Sequence, residues 1–100
     1  MKNAIILLLT FTLSYGSYSQ SYTTDYFKKG VAKSYLKDYR GAMQDYNKAI
    51  DIDPKHKNAY YGRGIAKYRL KDINGACLDW SKAGELGNNN AYDMIKKYCN

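Results

Sequence analysis

The sequence GVAKSYLKDYRGAMQDYNKAI, residues 30–50, returns in altered form at residues 64–84 as GIAKYRLKDINGACLDWSKAG. An offset of 34 positions separates each residue of the first copy from its counterpart in the second. A fixed period of this length is typical of a repeat array, in which each unit packs only against its neighbours. Such arrays present binding surfaces rather than catalytic pockets, so the sequence directs the search for function toward partners.

Each copy predicts a pair of helices, because small and apolar residues recur every three or four positions. In the first unit we expect helix A at Asp25–Leu36 and helix B at Arg40–Ile52. Thr23 or Thr24 is expected to cap helix A, and Asp38 is expected to cap helix B, by accepting hydrogen bonds from exposed backbone amides.

The second unit follows the same plan. Pro54 ends the first unit, because proline lacks an amide proton and disfavours helix in the residue before it. Helix A of the second unit is predicted at about Asn58–Leu70 and helix B at about Asn74–Leu86. Gly87 suits a left-handed helix cap, and a lone closing helix is expected at Ala91–Cys99. The predicted fold class is therefore all-α, a solenoid of two antiparallel helix-turn-helix units plus one capping helix.

Glycine within the predicted A helices requires a packing reason, since it costs about 1 kcal/mol relative to alanine in a helix. Close approach of the partner helix supplies that reason, with small residues on the B helix and one large ring beside them. The residues expected to pack the repeats are Gly30, Ala42, Tyr46, Ala49, Pro54, Gly64, Ala76, Trp80 and Ala83.

These nine residues, together with an aromatic at Tyr26 and at Tyr60, resemble the tetratricopeptide-repeat family. The resemblance covers residues 23–100 and implies a first repeat at about 23–56, a second at about 57–90 and a capping helix at about 91–99. It also implies a right-handed stack of helix pairs whose A helices line a concave groove.

The sequence departs from the family pattern at five positions. Asn88 stands where proline is usual, as suits a unit about to terminate. Lys29 and Arg63 replace the usual leucine, and Lys33 and Lys67 replace the usual tyrosine. These departures bear on local packing and leave the predicted fold unchanged.

The resemblance implies that partner-binding residues face the groove from the two A helices. Phe27 and Val31 stand where family members that hold chaperone C-terminal carboxylates have lysine and asparagine, so that function is not expected. Tyr92 and Ile95 either extend the strip or cover it, and a second copy of the chain is another possible cover. The groove-facing candidates are Phe27, Val31, Tyr35, Asn58, Tyr61, Ile65, Tyr68 and Arg69.

An aromatic groove flanked by the basic residues Lys28, Arg63 and Arg69 favours a peptide with apolar anchors and acidic neighbours. A charge run at Lys28, Lys29, Lys33 and Lys37 would instead suit an anionic polymer, although such runs are more often a solvated face. The formal net charge of +7 is spread along the chain, and no nucleic-acid partner is expected.

The N-terminus predicts a secretory signal peptide at residues 1–20. One positive charge at Lys2 precedes the apolar run Ala4–Leu13 and a small and polar stretch, with cleavage expected just before Gln20. The run is shorter than the roughly 20 residues that a membrane span needs, so no stable membrane insertion is expected. The protein should be exported and then periplasmic or secreted. The alternative is an N-terminal helix docked on the repeats.

Two cysteines, Cys77 in the second B helix and Cys99 at the end of the closing helix, lie at similar heights in antiparallel helices. A disulfide is therefore predicted in an exported chain. The alternative is that Cys77 is a small buried residue of the helix face.

No catalytic grouping can be assembled from the sequence. His56 is the single histidine and is read as a solvated residue between Lys55 and Lys57, so no metal site, cofactor or enzymatic activity is expected. The aspartates Asp45 and Asp79 are read as surface partners of lysines three positions later. The sequence predicts a noncatalytic interaction module and scaffold of the cell envelope, and the alternative is a self-associating structural subunit of an envelope complex.

Overall fold

A computed structural model describes residues 20–100, and all regular structure within this range is helical. Helix α1 covers residues 20–35 of the described range. It is followed by α2 (Tyr39–Ile52), α3 (Lys57–Arg69), α4 (Ile73–Glu85) and α5 (Asn90–Tyr98). The all-α solenoid predicted from the sequence is confirmed. The predicted signal segment falls on residues 1–19, outside the described residues, apart from Gln20.

Aspartate caps start both B helices. The side chain of Asp38 accepts a hydrogen bond from the Gly41 amide, and that of Asp72 accepts one from the Gly75 amide, each at 3.0 Å. Each bond satisfies one amide at a helix start that has no partner within the helix. The Asp38 cap predicted from the sequence is therefore confirmed, and Asp72, 34 positions later, makes the same cap in the second unit.

The threonine cap predicted for helix A is wrong, because α1 already includes residue 20 and both threonines lie inside it. The Thr23 hydroxyl donates instead to the Ala49 carbonyl of α2 at 2.8 Å and is buried. The Thr24 hydroxyl donates to the Gln20 carbonyl one turn back at 2.9 Å. Thr23 thus ties α1 to α2 rather than starting a helix.

Three helices end in the same way. In the first, the amides of Lys37 and Asp38 donate to the carbonyls of Ser34 and Lys33 at 3.0 and 2.8 Å. This pattern requires a left-handed residue after the helix, and Lys37 takes it with a φ of 62°. Lys71 (φ 70°) and Gly87 (φ 110°) hold the equivalent places after α3 and α4. The sequence predicts this left-handed position for Gly87. Lys37 and Lys71 occupy the same left-handed region, which costs a residue other than glycine about 1 kcal/mol.

The described helices form two core clusters, one for each unit. Tyr46 fills the first, with 2% of its surface exposed, and Trp80 fills the second and is fully buried. Alanines at the predicted packing positions surround both rings and are fully buried: Ala42, Ala49, Ala76 and Ala83. Pro54 follows α2, whose capping residue Asp53 is extended, as expected before proline.

Ion pairs with buried carboxylates join the A and B helices, and they correct the reading of Asp45 and Asp79 as surface residues. Asp45 pairs with Lys33 at 2.9 Å, and its side chain is 9% exposed. Asp79 accepts from Arg63 through both carboxylate oxygens at 2.8 and 2.9 Å and also pairs with Lys67 at 3.0 Å. Three basic side chains of the A helices, Lys33, Arg63 and Lys67, reach across to the B helices. These pairs give a structural role to three of the four basic residues that depart from the pattern, whereas Lys29 lies over the Tyr26 ring of its own helix.

Helix α5 closes the array against α4. A disulfide joins Cys77 to Cys99, with Sγ atoms 2.03 Å apart. The Tyr98 ring centroid lies 4.5 Å from that of Tyr68 and 6.0 Å from that of Trp80, so α5 covers the second core cluster. Within residues 20–100, no helix combines the length and apolarity needed to cross a membrane.

Candidate functional site

The A helices α1 and α3 form the two walls of a groove. Phe27 and Val31 lie one helical turn apart on α1, and Tyr61 and Ile65 have the same spacing on α3. The space between these walls measures about 390 Å³. The residues that line this part of the groove are Phe27, Val31, Tyr35, Tyr46, Asn58, Tyr61, Gly62, Ile65, Asn88 and Asn90.

A second cavity of about 240 Å³ continues the groove toward the turns that join the A and B helices. It shares Val31, Tyr35, Tyr46 and Ile65 with the first cavity, so the two form one strip, which we call the groove. The residues that it adds are Ser34, Tyr39 and Arg69.

Tyr46 forms a rigid floor between the walls. Its hydroxyl lies 3.4 Å from the Ser34 hydroxyl, and its ring centroid lies 6.0 Å from that of Phe27. Burial of the phenol raises the pKa of Tyr46 above its ordinary value, because the charged form loses contact with water. A Cβ added at Gly62 would stand 2.6 Å from the Tyr46 Cζ, so Gly62 is small where the two helices meet over this ring.

The structure brings together seven of the eight candidate residues: Phe27, Val31, Tyr35, Asn58, Tyr61, Ile65 and Arg69. Tyr68 lies elsewhere, because its ring packs beside Trp80 at 6.0 Å and Tyr98 at 4.5 Å. Position 68 shares the helix face of positions 61 and 65, and all three side chains touch the second core cluster, but the Tyr68 ring packs between Trp80 and Tyr98 and does not line the groove. The binding role of the other seven stays a prediction.

The closing helix neither extends the aromatic strip nor covers it with the two residues suggested by the sequence. Tyr92 lies against Gly84 of α4 and keeps 53% of its surface exposed, and Ile95 packs on the second core cluster. Asn88 and Asn90 reach the groove instead. The Asn88 amide donates to the Asn58 Oδ1 at 3.1 Å, which fixes a polar end of the groove.

Sequence reasoning missed six lining residues: Ser34, Tyr39, Tyr46, Gly62, Asn88 and Asn90. Tyr46 was assigned to packing alone, although a core ring can also floor a groove. Gly62 carried a usable signal, since a second glycine two positions before Gly64 also requires a close neighbour. Asn88, at the place of the usual proline, was the other signal.

Within residues 20–100, Arg69 is the single charged side chain that lines the groove. It is exposed, and no acidic side chain from this part of the chain lines the strip beside it. Arg63, expected to flank the groove, lies against Asp79 and donates to Asn47 Oδ1 at 2.9 Å. The hydrogen bond to Asp79 raises the pKa of Arg63. The positive charge available to a ligand within the groove is therefore that of Arg69.

His56 has a structural role rather than the solvated one expected. Its Nδ1 accepts a hydrogen bond from the Ala59 amide at 3.1 Å and thereby caps α3. Its ring centroid lies 4.9 Å from that of Phe27, behind the groove wall. Among residues 20–100, no group of three or more histidine, cysteine, aspartate or glutamate side chains is placed to hold a metal ion.

Comparisons with known proteins agree with this architecture. A family model described as TPR repeat, the tetratricopeptide repeat, matches residues 35–71. A solved structure described as the first TPR of Spaghetti (RPAP3) bound to HSP90 peptide SRMEEVD is 26% identical, with a TM-score of 0.73. The match covers 76% of this chain and 62% of that chain, so our chain spans less than two thirds of its length.

No curated protein matches the sequence significantly. The matched residues 35–71 run from the end of α1 through α2 and α3 to the turn before α4, which is the segment where the two predicted units meet. This segment of the chain is therefore similar to the tetratricopeptide repeat, and the described helices are similar in fold to a solved domain of that type.

Proposed function

We propose that the chain is a noncatalytic protein-interaction module that holds an extended or helical peptide segment in the groove between α1 and α3. The observation that carries this proposal is a continuous strip of Phe27, Val31, Tyr61 and Ile65 that is open to solvent and floored by a buried ring. Concave, largely apolar strips with a few polar groups are typical of ligand sites. The similar solved repeat is bound to a peptide, which supports the same class of ligand here.

The ligand chemistry follows from the two ends of the groove. Apolar side chains of the ligand would pack between Phe27 and Tyr61, because rings bury large area with little loss of side-chain freedom. An acidic side chain would lie near Arg69, whose charge has no acidic neighbour in the groove. Asn58 and Asn90 offer amides to the ligand backbone at the other end. The ligand is therefore an apolar segment with a carboxylate on one side.

The site of action that we propose is the cell envelope, after export. The support is the charged start and short apolar run of residues 1–13 and the disulfide between Cys77 and Cys99, a bond typical of oxidising compartments. Mass spectrometry of the protein recovered from its host would test export. Intact Met1 and two free thiols would contradict it.

The experiment that tests the groove begins with peptides selected by display on the full chain and titrated by fluorescence anisotropy. Replacing Tyr61 and Ile65 together with alanine should weaken binding at least thirtyfold, since buried aromatic anchors contribute about 2 kcal/mol or more. Tyr92→Ala is the matched control, because that ring lies outside the groove and is half exposed. Equal losses in both variants, with helical circular dichroism retained, would remove the groove as the site.

Reversing the charge of Arg69 tests whether the ligand places an acidic side chain beside it. Arg69→Glu should weaken binding of the acidic peptide by about fivefold, the size expected for an exposed pair. The same peptide with its acid replaced by the amide should bind the wild type and the variant alike. A C-terminally amidated peptide should bind as well as the free acid, because no lysine pair faces a terminal carboxylate in the groove. Sedimentation over a concentration series reveals a second copy as the occupant, if the chain dimerises through this strip.

A further inference from the structure

A second surface, separate from the groove, lies where the two A helices turn into the B helices. Helices α1 and α3 run in the same direction, because each pairs antiparallel with the B helix that follows it. Their C-terminal turns therefore lie at the same end of the array. We call this surface the turn end and define it by Leu36, Lys37, Arg40, Lys71 and Ile73.

The turn end exposes apolar side chains at the tips of both turns. Leu36, directly after α1, is 80% exposed, and Ile73, the first residue of α4, is 39% exposed. Leu36 and Ile73 protrude from the turns and line neither cavity of the groove, so they suit insertion into a membrane interface better than recognition of a peptide.

Cations surround these apolar tips. Lys37, Arg40 and Lys71 are all exposed. The carboxylates closest in sequence, Asp38 and Asp72, are held by their caps on Gly41 and Gly75 and point into the helix starts. At the opposite end of the array, the exposed lysines Lys55, Lys57 and Lys82 are balanced by the carboxylates Asp51, Asp53 and Glu85. At the turn end, three basic side chains stand against the two capped carboxylates, which leaves an excess of positive charge beside Leu36 and Ile73.

The backbone of the turns adds an independent observation. Lys37 and Lys71 occupy left-handed positions, with φ of 62° and 70°, where Gly87 does the same work after α4 without strain. The strained choice occurs twice, at equivalent positions, and both times it places an ammonium group at the tip of the turn. Because the same strained backbone conformation occurs at both lysines, we infer that the lysine side chain has a function at this place.

We propose that the turn end docks on an anionic membrane surface, with Leu36 and Ile73 entering the interface and the three basic side chains among anionic headgroups. Apolar tips and basic residues together supply the two signals that reversible membrane binding needs. Neither lysine lines the groove, so a docked module would keep the groove open to its peptide. The proposal is independent of what the groove binds.

The test uses the full chain and vesicles of phosphatidylglycerol with phosphatidylcholine, compared with phosphatidylcholine alone. A Leu36→Trp variant reports the turn end itself, because its emission should shift to shorter wavelength only with the anionic vesicles. Trp80 is fully buried and gives a constant background. Lys55→Trp at the opposite end is the position control. Absence of the shift, or an equal shift at both positions, would overturn the proposal.

The paired variant Lys37→Gly with Lys71→Gly removes two charges and relieves both left-handed positions, so it should fold at least as well as the wild type. Its vesicle affinity should fall about thirtyfold, since each basic residue near an anionic surface contributes about fivefold. Lys55→Gln with Lys82→Gln removes the same charge at the other end and should change little. Equal losses in the two pairs would overturn the assignment. Polyglutamate binding as tight as vesicle binding would assign the turn end to an acidic protein instead.

Discussion

Gly64 lies directly against the indole ring of Trp80, and a Cβ added at Gly64 would stand 2.6 Å from both Cδ1 and Nε1 of that ring. The Ala76 carbonyl oxygen would lie 3.2 Å away on the other side. Trp80 is fully buried between alanines and the rings of Tyr68 and Tyr98, so it has no free space to move into. The contact between α3 and α4 therefore depends on the missing side chain.

Gly64→Ala should lower the free energy of unfolding by about 2 kcal/mol, because overpacking a closed core exceeds the gain in helix propensity. Urea denaturation followed by circular dichroism at 222 nm measures it.

Gly84→Ala is the matched control, since its added Cβ would meet the Tyr92 ring at 2.8 Å and that ring is half exposed and free to turn. This variant should be neutral or stabilised by up to about 1 kcal/mol. Equal losses in the two variants would contradict the packing argument.

Asp79→Asn should destabilise the protein by about 3 kcal/mol, because Arg63 and Lys67 would keep their charges without a buried carboxylate to pair with. The Arg63 guanidinium also donates to Asn47, so loss of its anchor should loosen the contact between α2 and α3. Hydrogen exchange at the α3 amides provides a local measurement beside the urea curve.

Asp45→Asn is the comparison within the same chain. Its partner Lys33 keeps 40% of its side-chain surface exposed, so water can solvate the ammonium group when the pair is lost. The Asp45 variant should therefore lose clearly less stability than the Asp79 variant. A larger loss of stability for the Asp45 variant would mean that the ion pairs around Asp79 contribute less stability than their geometry implies.

The fold was predictable because two signals repeat at one period. Glycine at positions 30 and 64 required a large ring nearby, and Tyr46 and Trp80 are those rings. The Asp38 cap and the stop at Pro54 depend on residues adjacent in sequence, so local chemistry was sufficient.

The misassignments have a different origin. Periodicity indicates which residues share a face but not which long side chain reaches across to another helix. For that reason Asp45 and Asp79 were assigned to the surface and Tyr68 to the groove. His56 was misread because a histidine cap depends on the direction of one ring nitrogen. The start of α1 was missed because Thr23 has two uses for its hydroxyl, and the sequence does not distinguish them.

Reduction of the bridge between Cys77 and Cys99 should destabilise the protein by about 3 kcal/mol, the size expected for a bridge between residues 22 apart. The loss should appear first in α5, which the bridge holds against Trp80. Thermal unfolding with and without reductant measures it. The double variant Cys77→Ser with Cys99→Ser should match the reduced wild type and show no response to reductant. A full response to reductant in that variant would contradict the assignment of the effect to this bridge.

Alkaline pH should unfold the protein partly through Tyr46. Burial raises the pKa of Tyr46 above the value of 10.0 that the unfolded chain has, so folding favours the neutral phenol. The stability from this preference is complete below pH 10 and is lost as the pH rises toward the folded pKa. Lys33 acts in the same direction above pH 10.5, since its bond to Asp45 raises its pKa.

Tyr46→Phe should therefore show a shallower fall in unfolding free energy between pH 9 and 11.5 than the wild type, measured by urea titration. Every other side chain is identical in the two proteins, so the difference between the two slopes isolates this one phenol. Equal slopes would mean that the Tyr46 hydroxyl reaches water through the groove and that the floor of the groove is less closed than its geometry implies.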